Sequence, residues 1–308
     1  MFVSRDPRML EVVKLLERLA DAPSNVLLSG ESGTGKDLAA YALHFWGSRA
    51  SFPIVKVDLP SIPVELMESE LFGYERGAFT GATASKAGKL ELARGGTLYL
   101  DHIGELSSVL QAKLLRVVEE RAFERLGSAG GAPVELDARL VASASAELEQ
   151  AVNHELFRRD LFHRLGVFWI RLPPLRERQP DIAPLAHHFL GIEAKKRDRP
   201  PSRMSDEVLR IFERYRWPGN VRELKGIIEH AALVSSGDTV ERDDLPEYMM
   251  EGLDAGGEGQ GRLTLAEVQR NYIERILKEV GGNQSRAAEI LGISRKSLWE
   301  RRRRYLSK

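Results

Sequence analysis

The chain has 308 residues, and 45 Lys+Arg against 45 Asp+Glu leave it formally neutral. Hydrophobic residues at 43% and charged residues at 29% exclude a wholly disordered or collagen-like chain, and the length predicts more than one compact unit. The absence of cysteine excludes disulfides, iron–sulfur clusters, cysteine nucleophiles and cysteine-based zinc sites.

No apolar run approaches the ~18 residues of a membrane span, and no charged-then-apolar leader opens the chain. A soluble, cytoplasmic protein without a membrane partner is expected. In chain order, short apolar runs at 25–29, 54–58, 97–101, 137–143 and 167–172 read as strands. Helical patterns at 8–20, 36–46, 64–72, 107–120 and 146–156 alternate with them, which predicts a parallel sheet covered on both faces. After Pro173-Pro174 the strand signal stops. Residues 181–196, 205–215 and 221–235 read as helices of a small all-α unit, with Ser205 and Asn220 as N-caps. Residues 251–262 hold five glycines in twelve, too dense for a helix or strand, and read as a linker. The chain then divides into 1–172, 173–250, the linker 251–262 and 263–308.

The neutral sum conceals an asymmetry. Residues 283–308 carry eight basic side chains against two acidic ones, so the rest of the chain is acidic by six. Upstream of them, Thr264 and Glu267 form a capping box before a helix over 264–280. Gly281-Gly282 ends it, Asn283 caps a second helix through Leu291, and Ser294 caps a third after a tight turn. Small Ala287 and Ala288 suit close helix crossing. This is a helix-turn-helix pattern, whose last helix would present Ser294, Arg295, Lys296, Ser297 and Arg301 to DNA. Four consecutive arginines, 301–304, span ~300° of a helix and cannot all face one groove.

Gly30-Glu31-Ser32-Gly33-Thr34-Gly35-Lys36 follows a predicted strand and opens a predicted helix. Glycines there turn backbone N–H groups inward around a phosphate, Lys36 adds charge, and the helix start adds its dipole. Asp37 stands where the general pattern has the Ser/Thr that touches Mg²⁺. The strand 97–101 ends in Asp101, as a magnesium-holding strand does in P-loop nucleotidases. ATP and Mg²⁺ are the expected cofactors, with Asp101 and Asp37 as candidate metal ligands.

With these motifs the sequence resembles the AAA+ activators of sigma-54-dependent transcription, whose Fis-type module the tail also resembles. The most specific match is the block 68–82, containing Gly77, Ala78, Phe79, Thr80, Gly81 and Ala82. The resemblance makes that hexapeptide the loop that contacts sigma-54; as a peptide it is a mobile probe tipped by Phe79. The alternative is a hairpin tip with Phe79 folded into the core. Residues 127–133 would form a second loop supporting the first. Arg158 and Arg164 resemble the family's two arginine fingers, though by themselves they read as surface charges. Residues 172–178 resemble the hinge into the lid, and the segment 217–224 resembles the sensor II motif, which places Arg222 over the nucleotide.

Three departures surround the γ-phosphate position. His102 replaces the family's water-orienting Glu, Asp58 replaces the Asn that holds it, and Ala144-Ser145 replaces the Thr-Asn of sensor I. Either the site hydrolyses ATP weakly or not at all, or Asp58 and His102 form a carboxylate-held imidazole base. The resemblance implies a homo-oligomer, from dimer to hexamer-type ring, acting on sigma-54 RNA polymerase from enhancer DNA. A non-hydrolysing DNA-binding regulator, with nucleotide controlling assembly only, is the second reading. The match begins near Phe2-Val3, so no sensory domain is expected ahead of it and control would come from a separate regulatory protein, unless the chain is a truncated product.

Overall fold

The computed structural model describes residues 2–128, 132–197, 203–235 and 237–254, together with residues 284, 286, 287 and 298. Asp6 accepts from the backbone of Arg8 and Met9 and so caps α1 (Pro7–Leu19). The buried strand β1 (Val26–Ser29) runs into the glycine loop and then α2 (Lys36–Phe45). Next come β2 (Ile54–Asp58), α3 (Val64–Phe72), a short hairpin of β3 (Gly73–Tyr74) and β4 (Lys86–Ala87), and α4 (Lys89–Leu92). β5 (Thr97–Asp101) precedes α5 (Ser108–Glu120), which is capped by Ser107. A second hairpin, β6 (Ala122–Phe123) with β7 (Val134–Glu135), leads to β8 (Arg139–Ala144). The layer closes with α6 (Leu148–Asn153), α7 (Arg159–Leu165) and β9 (Phe168–Arg171).

The five long strands form one parallel sheet in the order β2-β5-β8-β1-β9. Alternate strand residues face opposite layers. Tyr99, Val141 and Leu28 pack with Leu16, Leu19, Ala39 and Leu43 of α1 and α2. Leu98, Leu100, Leu140 and Leu27 pack with α3, α5, α6 and α7. Buried Arg139 donates to the carbonyls of Ala20, Leu19 and Leu43, at 2.6, 2.7 and 3.2 Å, where α1 and α2 end. Burial pulls its guanidinium down to about 10.

The strands lie where the apolar runs place them, within two residues. The helical pattern at 146–156 is instead broken: α6 stops at Asn153, Glu155 turns left-handed at φ 60°, and a separate α7 follows. That break puts Arg158 at the start of α7.

The lid holds α8 (Ile182–Lys196), β10 (Arg203–Met204), α9 (Asp206–Arg214), α10 (Asn220–Val234), β11 (Thr239–Val240) and α11 (Glu247–Asp254). It is helical apart from the two-residue parallel pair β10–β11. Ser205 caps α9 as expected. Asn220 does not cap α10; it occupies the helix's first position at φ 53°, with its side chain turned to other work. α11 carries through residues 251–254, where glycine density predicts linker. Residues 251–308 form a second unit, in which Gln284, Arg286, Ala287 and Leu298 are helical and Ala287 and Leu298 are buried. The DNA candidates Ser294, Arg295, Lys296, Ser297 and Arg301 lie outside the described residues, as do the proposed caps Thr264 and Asn283. Among the described residues no helix is long and apolar enough to cross a membrane.

Candidate nucleotide-binding site

The glycine loop sits at the carboxyl end of β1, where a parallel sheet opens toward its ligands. Gly30, Gly33 and Gly35 all have positive φ, so neighbouring N–H groups can turn into one hollow. A Cβ on Gly33 would stand 2.3 Å from the Gly219 carbonyl, so only glycine lets the lid approach this closely. Lys36 is 7% exposed and donates to the carbonyls of Gly30 and Glu31, at 2.7 and 3.0 Å. Burial holds its ammonium below the ordinary lysine value.

The lid reaches the loop through four side chains. Arg222 donates to the Ser32 hydroxyl at 2.7 Å, and buried Arg178 to the Thr34 carbonyl at 2.8 Å. Arg176 pairs with Glu31 through two hydrogen bonds of 2.6 and 2.8 Å, which holds the Glu31 carboxyl below its usual range. Fully buried Asn220 accepts from the Leu175 N–H at 2.7 Å and donates to Ser32 O at 3.0 Å and Glu31 Oε2 at 3.1 Å. One amide therefore joins loop, hinge and lid.

Strand register assembles the acidic side of the site. Lys56 pairs with Tyr99 and Asp58 with Asp101, and the period of two puts all four on the face covered by α2. Lys56 Nζ lies 2.7 Å from Asp37 Oδ1 and 2.9 Å from Asp101 Oδ2, and the Tyr99 hydroxyl has both carboxylates within hydrogen-bonding distance of its one proton, at 2.8 and 3.1 Å. Ser143 on β8 donates its hydroxyl to Asp101 Oδ1 and accepts the His102 N–H at 3.2 Å. Burial works against charge on Asp101, yet the Ser143 hydroxyl and the Lys56 ammonium outweigh it and hold the carboxyl below its usual value. An ionised, 5% exposed carboxylate fits Mg²⁺. Asp37 Oδ1 accepts from the same Lys56 ammonium that pairs with Asp101 Oδ2, so one cation bridges the two candidate carboxylates.

His102 adopts φ 62°, ψ 50°, and this left-handed turn swings its ring back over the strand ends. Nδ1 lies 3.4 Å from Asp58 Oδ1 and 3.6 Å from Asp101 Oδ1, and it has no hydrogen-bond partner. Asp58 and His102 are thus adjacent, but no hydrogen bond from the carboxylate holds the imidazole at Nδ1. Ala144 brings only a buried methyl group to the end of β8.

The other candidates lie on the surface. Arg158 pairs with Asp160 at 2.7 Å and Arg164 with Glu119 at 3.0 Å, both exposed. In the hexapeptide, Gly77 and Gly81 have positive φ, and the Gly77 N–H closes the loop onto the Ala82 carbonyl at 2.9 Å. Phe79 is 44% exposed, resting edge-on against Tyr74 with ring centroids 5.0 Å apart. It is a projecting tip and not a core residue. The second hairpin braces it: Leu126 exchanges backbone hydrogen bonds with Gly73 and Glu75, and Arg125 pairs with Glu75 and Glu91.

Lys56, Tyr99 and Ser143 escaped the sequence reading. A signal existed in each case, since each is a polar group inside an otherwise apolar strand of a sheet covered on both faces. The roles of Arg178 and Asn220 had no comparable signal, because they depend on how the lid docks.

Comparison with known proteins matches three family models in succession. The Sigma-54 interaction domain covers residues 2–171, the AAA+ ATPase lid domain 176–261, and the bacterial regulatory protein, Fis family, 264–305. Regulatory protein AtoC of Escherichia coli (strain K12) is 40% identical over 98% of this chain and 67% of its own length. A Nif-specific regulatory protein of Azotobacter vinelandii is 41% identical over 97% of this chain and 57% of its own. The crystal structure of NtrX from Brucella abortus in complex with ADP superposes with a TM-score of 0.74 at 32% identity, over 98% of this chain and 68% of NtrX. The chain thus spans a little over half to two thirds of the length of these relatives. By the matched interaction domain and by identity across nearly all of its residues, this chain belongs to the Sigma-54 interaction domain family of AAA+ regulatory proteins.

Proposed function

We propose that this protein is a sigma-54-dependent transcription regulator. It binds ATP, assembles into a ring, and remodels the sigma-54 polymerase closed complex while its Fis-type module holds enhancer DNA. The observation that carries the reading is the braced loop 77–82, with Phe79 exposed at its tip. An aromatic ring held in water on a glycine-flanked loop suits a protein contact better than it suits stability.

ATP phosphates would occupy the hollow of Gly30–Lys36, with Arg222 and Asn220 tying the lid over them. Bound Mg²⁺, held by Asp101, would neutralise charge on the phosphate oxygens. Arg158 and Arg164 are exposed, each tied to a carboxylate of its own surface, which supports a role toward a neighbouring protomer's nucleotide. Turnover should be slow. Ala144 offers no hydrogen bond, and Asp58 does not orient His102, so the loss of a positioned base costs roughly 10²–10⁴ in rate.

The test is open-complex formation on a sigma-54 promoter, with ATP binding measured in parallel. Phe79→Ala should bind ATP as the wild type does and form no open complex. Lys36→Ala should lose ATP binding. Open complexes formed equally well by Phe79→Ala would overturn the reading.

A further inference from the structure

Three lone-pair donors converge at the carboxyl edge of the sheet. Asp58 and Asp101 end adjacent strands in register, and the left-handed backbone at His102 brings Nδ1 between them. One donor atom from each of the three lies within 4.8 Å of the others. The two measured edges, 3.4 and 3.6 Å from Nδ1 to Asp58 and Asp101, are close to the ~3.4 Å between donors that share one ion at about 2.1 Å in near-tetrahedral array. Nδ1 is shielded from water and makes no hydrogen bond. With the ring hydrogen on Nε2, a nitrogen lone pair and two carboxylate groups border one space suited to a cation, where Asp101 Oδ1 also accepts from Ser143 and Tyr99.

Lys56 does not serve as that cation. It binds Asp101 through Oδ2, whereas His102 Nδ1 lies nearest Oδ1. Asp58 and His102 are both about half-exposed, which leaves the site open to solvent ions and room for water ligands. One imidazole nitrogen with two carboxylates also differs in kind from the all-oxygen donor set that Mg²⁺ prefers, since imidazole favours first-row transition ions.

We propose that Asp58, Asp101 and His102 form a mixed nitrogen–oxygen site for one divalent first-row transition ion. The site goes beyond the nucleotide reading and does not rest on it, because all three donors come from the polypeptide. It follows from two of the positions, 58 and 102, at which this chain departs from its family's pattern.

The test uses the full chain, stripped with EDTA and free of nucleotide, with Mn²⁺ as the probe. Loss of the free-ion resonance should report one bound Mn²⁺ that Mg²⁺ at equal concentration does not displace. Pulsed resonance on the wild type should show coupling to an imidazole nitrogen. His102→Gln should abolish that coupling, and both His102→Gln and Asp58→Asn should weaken Mn²⁺ binding at least about tenfold. Unfolding midpoints in EDTA establish that each variant is folded, and the nitrogen coupling tests the wild type without any variant. No bound Mn²⁺, no nitrogen coupling, or unchanged affinity in His102→Gln would overturn the proposal. ATP binding followed in the same samples separates such a failure from a failure of the nucleotide site.

Discussion

Replacing Asn220 by Ala tests whether one buried amide couples the lid to the phosphate loop. The side chain is fully buried and makes three hydrogen bonds, to Leu175 N, Ser32 O and Glu31 Oε2. Removing it orphans the Leu175 N–H inside the protein, at a cost of about 1–3 kcal/mol. Ser32 and Glu31 can recover water, so their two bonds together cost about 1 kcal/mol. The backbone at φ 53° suits Asn but adds about 1 kcal/mol for Ala. The expected loss is therefore about 3–5 kcal/mol in urea unfolding of the α/β body and lid, together with weaker ATP binding. Asn220→Gly loses the same hydrogen bonds without the backbone penalty, so it should be the milder variant by about 1 kcal/mol. Unfolding of Asn220→Ala within about 0.5 kcal/mol of the wild type, the range of an ordinary surface substitution, would refute this coupling.

Acid stability should depend on Lys56. Asp101 is held below its ordinary value of 3.8, so its charge stabilises the fold above that pH, and the contribution is lost as pH falls through the lower folded value. Lys56→Met removes one of the groups holding it down, so acid unfolding followed by circular dichroism should begin at a higher pH; an unchanged acid midpoint would contradict the assignment. Gly127 has φ 78°, and a Cβ there would stand 2.7 Å from that of Ala78. Gly127→Ala should cost about 1–2 kcal/mol and reduce open-complex formation while ATP affinity stays unchanged. A parallel fall in ATP affinity would show that the brace between the hairpins is not confined to the loop.

Much of this protein was legible in one dimension because its signals are local. Alternation of apolar strands and amphipathic helices dictates a parallel sheet with both faces covered, and the glycine loop follows its first strand and opens α2 as the motif requires. The hexapeptide 77–82 likewise exposes Phe79, because glycines at both ends and a two-residue hairpin leave no core for it to enter. Local signals mislead where a residue's partner lies far along the chain. Asn220 resembles a helix cap, yet a left-handed backbone aims its amide at Glu31 and Ser32, some 190 residues upstream. The helix expected over 146–156 ends at Asn153, and Glu155 turns left-handed with no glycine or proline there to announce it.

The sequence by itself determined the modules, the phosphate loop and the identity of the departing residues His102, Asp58 and Ala144. Only the tertiary structure decided what those departures amount to. Strand register puts Lys56 between two carboxylates, the turn at His102 aims Nδ1 at Asp58 and Asp101, and Ser143 takes the other contact to Asp101. Local propensity is written in neighbouring residues, whereas the charge balance of a site is set by groups that meet only when separate strands align.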